Sequence, residues 1–196
     1  MKNKIIIIFV IIFNLIVFKV YSDDQISFDV SEIEILDGGD KIIGKNRGKI
    51  TTNNGITITA DEFLFDKIKN IIEAKGNIII EDKINNYNFS AQNISYEKNE
   101  EKIKIKGKSN ALIETNYEFE TEDITIFRNE SIISSDMRAM ILDKANKTRY
   151  EIDNFSYSLN EKIKKGKNIF INTKFDQPFS DKYFFKSAVF NLKNQN

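Results

Sequence analysis

The chain has 196 residues, carries 29 basic and 29 acidic side chains for a formal net charge of zero, and contains no Cys, His or Trp. That composition removes disulfides, thiolate and imidazole metal sites, cysteine and serine–histidine nucleophiles, and histidine acid–base catalysis. Charges of both signs are interleaved along the chain, which argues against the basic stripe a nucleic-acid groove needs.

In chain order, the first element is a targeting segment. Lys2 and Lys4 form a basic start, residues 5–18 are apolar apart from Asn14, and Val20, Tyr21 and Ser22 precede Asp23 and Asp24. This three-part form predicts a signal peptide over 1–22, cleaved after Ser22. A helix of about 14 residues reaches only ~21 Å, short of the ~30 Å hydrocarbon core; an uncleaved anchor is the alternative, because the run could extend past Lys19. Loss of Lys2, Lys4 and Lys19 with this segment leaves the exported part slightly acidic.

From residue 28 onward an apolar triplet recurs, spaced five and then two apart. It reads Phe28, Ile33, Ile35; Ile58, Phe63, Phe65; Phe89, Ile94, Tyr96; Phe119, Ile124, Ile126; Tyr150, Phe155, Tyr157; and Phe185, Phe190, Leu192. The middle members stand 30, 31, 30, 31 and 35 residues apart, and every place is apolar in a chain that is 41% hydrophobic. A fixed period of this length marks an array whose units bury their apolar faces against their neighbours.

Turn-forming residues arrive at half that period, at 37–40, 53–55, 67–70, 85–86, 98–101, 115–116, 128–131, 144–147 and 160–162. Between turns the chain alternates. Ile72, Ala74, Gly76, Ile78 and Ile80 share one face against Glu73, Lys75, Asn77 and Glu81, and Ile103 and Ile105 oppose Lys102, Lys104, Lys106 and Lys108. Period-two alternation with short polar turns predicts antiparallel hairpins, two strands to each repeat. Pro178 lies in 174–182, the stretch that lengthens the last step.

The five-residue gap reverses strand parity. Ile58 and Phe63 can both face inward only if the strand bends or bulges near Asp61 and Glu62, with equivalents at Gln92–Asn93, Glu122–Asp123 and Asp153–Asn154. A basic residue followed by glycine recurs at Gly48, Gly76, Gly107 and Gly166, as suits a kink or a close backbone approach. The expected fold is all-β, a bent antiparallel β-jellyroll of ~30-residue two-strand repeats over 23–196. About eleven strands at ~4.8 Å spacing stack to roughly 50 Å. Asp61, Glu122 and Asp153 recur at the corners and read as solvated surface rather than a catalytic pair.

The run Ile58-Thr59-Ala60-Asp61-Glu62-Phe63-Leu64-Phe65-Asp66, followed by Ala74-Lys75-Gly76-Asn77-Ile78, resembles the OstA-like repeat of the lipopolysaccharide-transport proteins. That family includes the periplasmic bridge protein and the N-terminal domain of the outer-membrane assembly protein. Residues 89–96 and 150–157 look like further copies, so the likeness covers about 26–192. It implies a β-jellyroll in the periplasm whose interior carries the acyl chains of lipopolysaccharide. Docking onto other OstA-like proteins through edge strands and delivery to the outer-membrane assembly complex are also implied, with no cofactor. The alternation predicts the lining: Ile58, Phe63, Phe65, Ile72, Ile78, Ile80, Phe89 and Ile94 from the first half, and Tyr96, Ile103, Ile105, Phe119, Ile124, Ile126 and Phe155 from the second. Equally, the two halves could close on each other and make these residues an ordinary core.

The sixth repeat supplies one strand and no returning partner, which leads to the expectation of a truncated assembly protein, with a bridge protein as the other choice. The lack of cysteine departs from the assembly-protein pattern. A structural or adhesive exported β-solenoid without lipid binding is the alternative function, and it would require parallel strands.

Overall fold

A computed structural model describes residues 26–191; the signal segment and Leu192 lie outside the described residues. The described residues form thirteen strands in a single sheet. They are β1 (Ile26–Leu36), β2 (Lys41–Thr52), β3 (Ile56–Ala60), β4 (Glu62–Asp66), β5 (Ile71–Asp82), β6 (Tyr87–Glu97) and β7 (Lys102–Ile113). They continue with β8 (Tyr117–Phe127), β9 (Ile132–Ser135), β10 (Ala139–Asp143), β11 (Thr148–Ser158), β12 (Ile163–Thr173) and β13 (Asp181–Asn191). Among the described residues no helix is long and apolar enough to cross a membrane.

The order is β1-β2-β3-β5-β6-β7-β8-β10-β11-β12-β13, with β4 between β2 and β5 and β9 between β8 and β11. β3 and β4 are therefore two halves of one long strand broken at Asp61, and β9 and β10 are halves of another broken at 136–138. Counted this way, the sheet has the eleven long strands the repeat predicts. Every neighbouring pair is antiparallel. That is the bent antiparallel jellyroll, and it excludes the parallel solenoid.

Parity reverses where the gap in the triplet places it. In β6, Phe89 and Ala91 are buried, Gln92 and Asn93 are both exposed, and Ile94 and Tyr96 are buried again. β8 and β11 reverse at Asp123 and Asn154, each at positive φ, 51° and 49°. These two types tolerate the left-handed region better than most because their short side chains bond locally.

The paired strands accommodate each corner with their glycine, in two different ways. Gly76 takes φ +75°, which a β-carbon resists. Gly48 has ordinary φ, but a β-carbon there would lie 2.4 Å from Val30 Cγ1 and 2.7 Å from the Asp29 carbonyl oxygen. β2, β5, β7 and β12 carry such a glycine; the long strand between β8 and β11 has none, places Met137 at the corner, and breaks there into β9 and β10.

Three inward rows run across the sheet. The first links Phe28, Ile50, Ile58, Ile80 and Phe89, then Ala111, Phe119, Ile141, Tyr150, Ile171 and Tyr183. The middle row aligns Phe63, Ile94, Ile124 and Phe155 through Ala74, Ile105 and Ser135. The third carries Ile35, Ile42, Phe65, Ile72, Tyr96, Ile103, Ile126, Ile133 and Tyr157.

These rows correct the sixth triplet. Tyr183, not Phe185, completes the first row, and Phe190 completes the third row rather than the middle one, so the last step is two residues shorter than the triplet implies. The sequence pattern slips here because Tyr183, Ala188 and Phe190 have the same apolar spacing as Phe185, Phe190 and Leu192, and a shift of two residues keeps strand parity.

Turns stack along two rims. On one, backbone N–H groups of Lys67, Lys98, Arg128 and Leu159 donate to the carbonyls of Asp40, Asn70, Glu101 and Ser131, at 2.8–3.1 Å. On the other, Glu114, Lys144 and Phe175 donate to Asn86, Asn116 and Lys147. Each bond joins a turn to its counterpart one repeat away, so the backbone groups of the turns are satisfied within the array.

Candidate functional site

The three rows meet inside a single hydrophobic cluster, because the V folds until its rims touch. Each of the residues predicted to line a trough is buried in that cluster, from Ile58 and Phe63 through Phe155. Along the middle of the array the interior is close-packed; Phe119, for example, lies 5.3 Å from Phe155 and 6.3 Å from Tyr157 between ring centres.

At the ends the same rows emerge. On β1, inward-facing Ile33 and Ile35 are 51% and 64% exposed, since β1 has a neighbour on one side only. On β13, inward-facing Tyr183 and Phe185 are 50% and 40% exposed. The apolar stripe is thus continuous from one edge strand to the other and uncovered at both.

Between the rims lies a polar clasp. Arg128, in the turn after β8, reaches across to Asp82 at the end of β5, with Nε donating to Oδ2 at 2.8 Å, and its Nη2 donates to the Asn54 carbonyl at 2.8 Å. Nη1 pairs with Glu101. Asn54 Nδ2 donates to the Tyr96 hydroxyl at 2.7 Å, and that hydroxyl donates to Glu101 at 2.9 Å. The Arg128 and Asp82 side chains are 6% and 0% exposed. Burial pushes the Asp82 carboxyl up, but hydrogen bonds from Arg128 and Asn85 outweigh it and hold the group below its ordinary value. Farther along, Ser131 donates to Asn85 and Lys162 pairs with Glu114, both again rim to rim.

Lys164 is the one charged member of the third row, standing between Tyr157 and Phe190. It is 0% exposed, and its Nζ lies 3.8, 4.9 and 5.6 Å from the ring centres of Tyr117, Tyr150 and Tyr157. Ring faces attract an ammonium but accept few of its hydrogen bonds, and Nζ has no hydrogen-bond partner. Burial pushes its pKa down to about 8, against an opposing pull from Asp143 and Glu114.

The sign of the consequence follows from linkage. Between the folded pKa of about 8 and the ordinary 10.5, the unfolded chain holds more protons, so stability rises with pH. Lys164→Met has no such term. The wild-type chain should therefore gain on the order of 2–3 kcal/mol relative to Lys164→Met from pH 7 to pH 10. Urea unfolding at stepped pH measures it; parallel curves for the two proteins would show that the ammonium is not held in the folded interior.

The corner acids are structural. Asp61 accepts from Arg47 at 3.0 Å and Asn77 at 2.7 Å, and Asp153 accepts from Arg138 at 2.9 Å and Asn168 at 3.0 Å. Glu122 does not join this pattern; its neighbour Asp123 accepts from the Gly107 backbone N–H at 2.8 Å instead. Among the described residues no group of three or more carboxylates is placed to hold a metal ion.

Sequence reasoning missed Arg128, Asp82 and Lys164. Only Lys164 left a signal, since strict alternation with Gly166 puts a lysine on the inward face of β12.

No protein-family model matches this chain, and no curated protein matches it. Among solved structures, it is similar to the crystal structure of LptH, the LptA-homologous periplasmic component of the conserved lipopolysaccharide transport device from Pseudomonas aeruginosa. The likeness covers 54% of this chain and 77% of LptH, with 15% sequence identity and a TM-score of 0.48. The functional reading therefore rests on this chain's own residues.

Proposed function

We propose that the chain is a non-enzymatic lipid-carrying module of the periplasm. It takes lipopolysaccharide by its acyl chains into the apolar interior and passes it towards the outer-membrane assembly machinery. The observation that supports this most is the apolar stripe, continuous across the array and uncovered at Ile33 and Ile35 on one edge and Tyr183 and Phe185 on the other. Inward-facing apolar side chains left uncovered on the edge strands suit an apolar path that continues into a neighbouring domain. The OstA-like motif around 58–66 agrees with the same role, in a bridge protein or in the N-terminal part of an assembly protein.

Shielding a methylene from water is worth about 0.8 kcal/mol, so a dozen amount to about 10 kcal/mol. That is enough to compete with the contacts between the two halves of the sheet. Non-directional contacts with repeated Ile and Phe positions also let a chain slide from row to row. Exposed edges on β1 and β13 offer unpaired backbone groups to another OstA-like domain.

A photo-crosslinking amino acid tests the path. Placed at Ile94 or Ile124, which face inward, it should label lipopolysaccharide in cells; placed at Lys75 or Lys104, which face outward, it should not. Equal labelling at the two sets of positions would remove the internal route.

A further inference from the structure

Three observations converge on one place in the tube. Lys164 Nζ is buried without a hydrogen-bond partner, and so is the hydroxyl of Tyr157, the residue paired directly opposite it. A charged group in a low-dielectric interior ordinarily finds a counter-charge, and an unspent hydroxyl there is costly as well. Here the lysine keeps its Nζ among ring faces, and the tyrosine paired with it across the strands keeps its hydroxyl unspent.

The position of the pair in the fold gives the second part. Lys164 lies on β12, the strand next to edge strand β13, two residues beyond a turn on one rim. Tyr117 and Tyr150 belong to the ends of β8 and β11 near the opposite rim. The cage therefore spans the seam, close to the end where Phe185 and Tyr183 are uncovered, and the Lys162–Glu114 pair bridges the same stretch of seam.

We propose that Lys164 and Tyr157 form an anion-binding subsite at this mouth, which receives the phosphate of an amphiphile whose hydrocarbon chain lies along the apolar rows. An ammonium and a phenol donate together to one phosphate oxygen set, as charge-assisted donors do. A free phosphate would have to give up its hydration with little return in so apolar a setting. An attached chain, burying methylenes against Phe190 and the third row, offsets that cost. The aromatic rings hold the ammonium in place until the anion arrives and wall the subsite afterwards. This inference rests on the lipid-carrying reading and adds a preference for acidic amphiphiles to it.

The test uses the chain purified after export and three probes below their micellar concentrations: dodecyl phosphate, uncharged dodecyl maltoside, and inorganic phosphate. Tyrosine fluorescence or calorimetry gives the affinities. Wild type should bind dodecyl phosphate about tenfold or more tighter than dodecyl maltoside, the scale of one charged hydrogen bond. Lys164→Met, checked for its β-sheet circular dichroism, should bring the two amphiphiles to the same affinity, and Tyr157→Phe should reduce the preference several-fold. Inorganic phosphate should not bind at concentrations that saturate the alkyl phosphate.

A preference that survives Lys164→Met overturns the subsite. Equal binding of both amphiphiles by wild type overturns it while leaving the lipid-carrying reading intact. Inorganic phosphate binding as tightly as dodecyl phosphate overturns the amphiphile assignment. Failure of both amphiphiles to bind would sink both readings together.

Discussion

Arg128→Met should destabilise the chain by about 3 kcal/mol, lowering its melting temperature by roughly 10 °C at neutral pH. Asp82 is fully buried and accepts a hydrogen bond from Arg128 Nε at 2.8 Å. Without the guanidinium a buried carboxylate loses its counter-charge, which typically costs about 3–5 kcal/mol. The lower end applies because Asp82 keeps the backbone N–H groups of Ile84 and Asn85 and the Asn85 side-chain amide, each at 2.8–2.9 Å. Adding Asp82→Asn removes the stranded charge while preserving an acceptor for that turn, so the double variant should recover most of the loss. Because the folded Asp82 titrates below its ordinary 3.8, its contribution is fully present above that pH and is lost as pH falls through the lower folded value. A single variant within about 0.5 kcal/mol of wild type, the ordinary scatter for surface changes, would show that the seam is not clasped.

Replacing both Ile33 and Ile35 by glutamate should abolish end-to-end association through β1 and leave the monomer folded. Both side chains face inward yet are more than half exposed, so the substitutions remove little buried surface from the isolated chain. In a docked pair each would place a carboxylate in the continuous apolar stripe. Insertion scales put an acidic side chain in an apolar interior at about 2.5–3.5 kcal/mol, so two of them weaken docking by at least about a hundredfold. Sedimentation of the chain, alone and with the proposed partner domain, measures the association, and thermal melting checks the fold. Association at wild-type affinity would mean that docking uses another surface.

Much of this architecture was legible because its information is local. The alternation of β5 and β7, the parity reversal at Gln92 and Asn93, and the stacked corners all follow from residues within one repeat of each other. The turn ladder links Lys98 to Asn70 and Arg128 to Glu101, again about one period apart. The clasp was hidden for the opposite reason. Arg128 meets Asp82 across 46 residues and Asn54 across 74, and Lys162 meets Glu114 across 48. These separations are near half-integer multiples of the period, which is the signature of contact between opposite rims, and nothing in apolar periodicity reports how far a V closes. Lys164 was overlooked because lysine in a strand is ordinarily solvated. Only its parity, read against Gly166 and Tyr157, points inward. The sixth triplet misled because Tyr183, Ala188 and Phe190 satisfy the same spacing two residues earlier.

The turn-to-turn ladder contains no rung that counts the others. Each backbone bond along a rim sees only the turn before it, and each inward row continues by adding one more Ile or Phe beside the last. Reach is therefore independent of bore. Duplicating one unit lengthens the tube by two strand spacings, about 10 Å, without altering its cross-section or either terminal strand. Such a chain can change its length without changing its cross-section by gaining or losing blocks of about 30 residues. Insertions of other lengths are confined to the turns, where the two residues that lengthen the loop before β13 already lie.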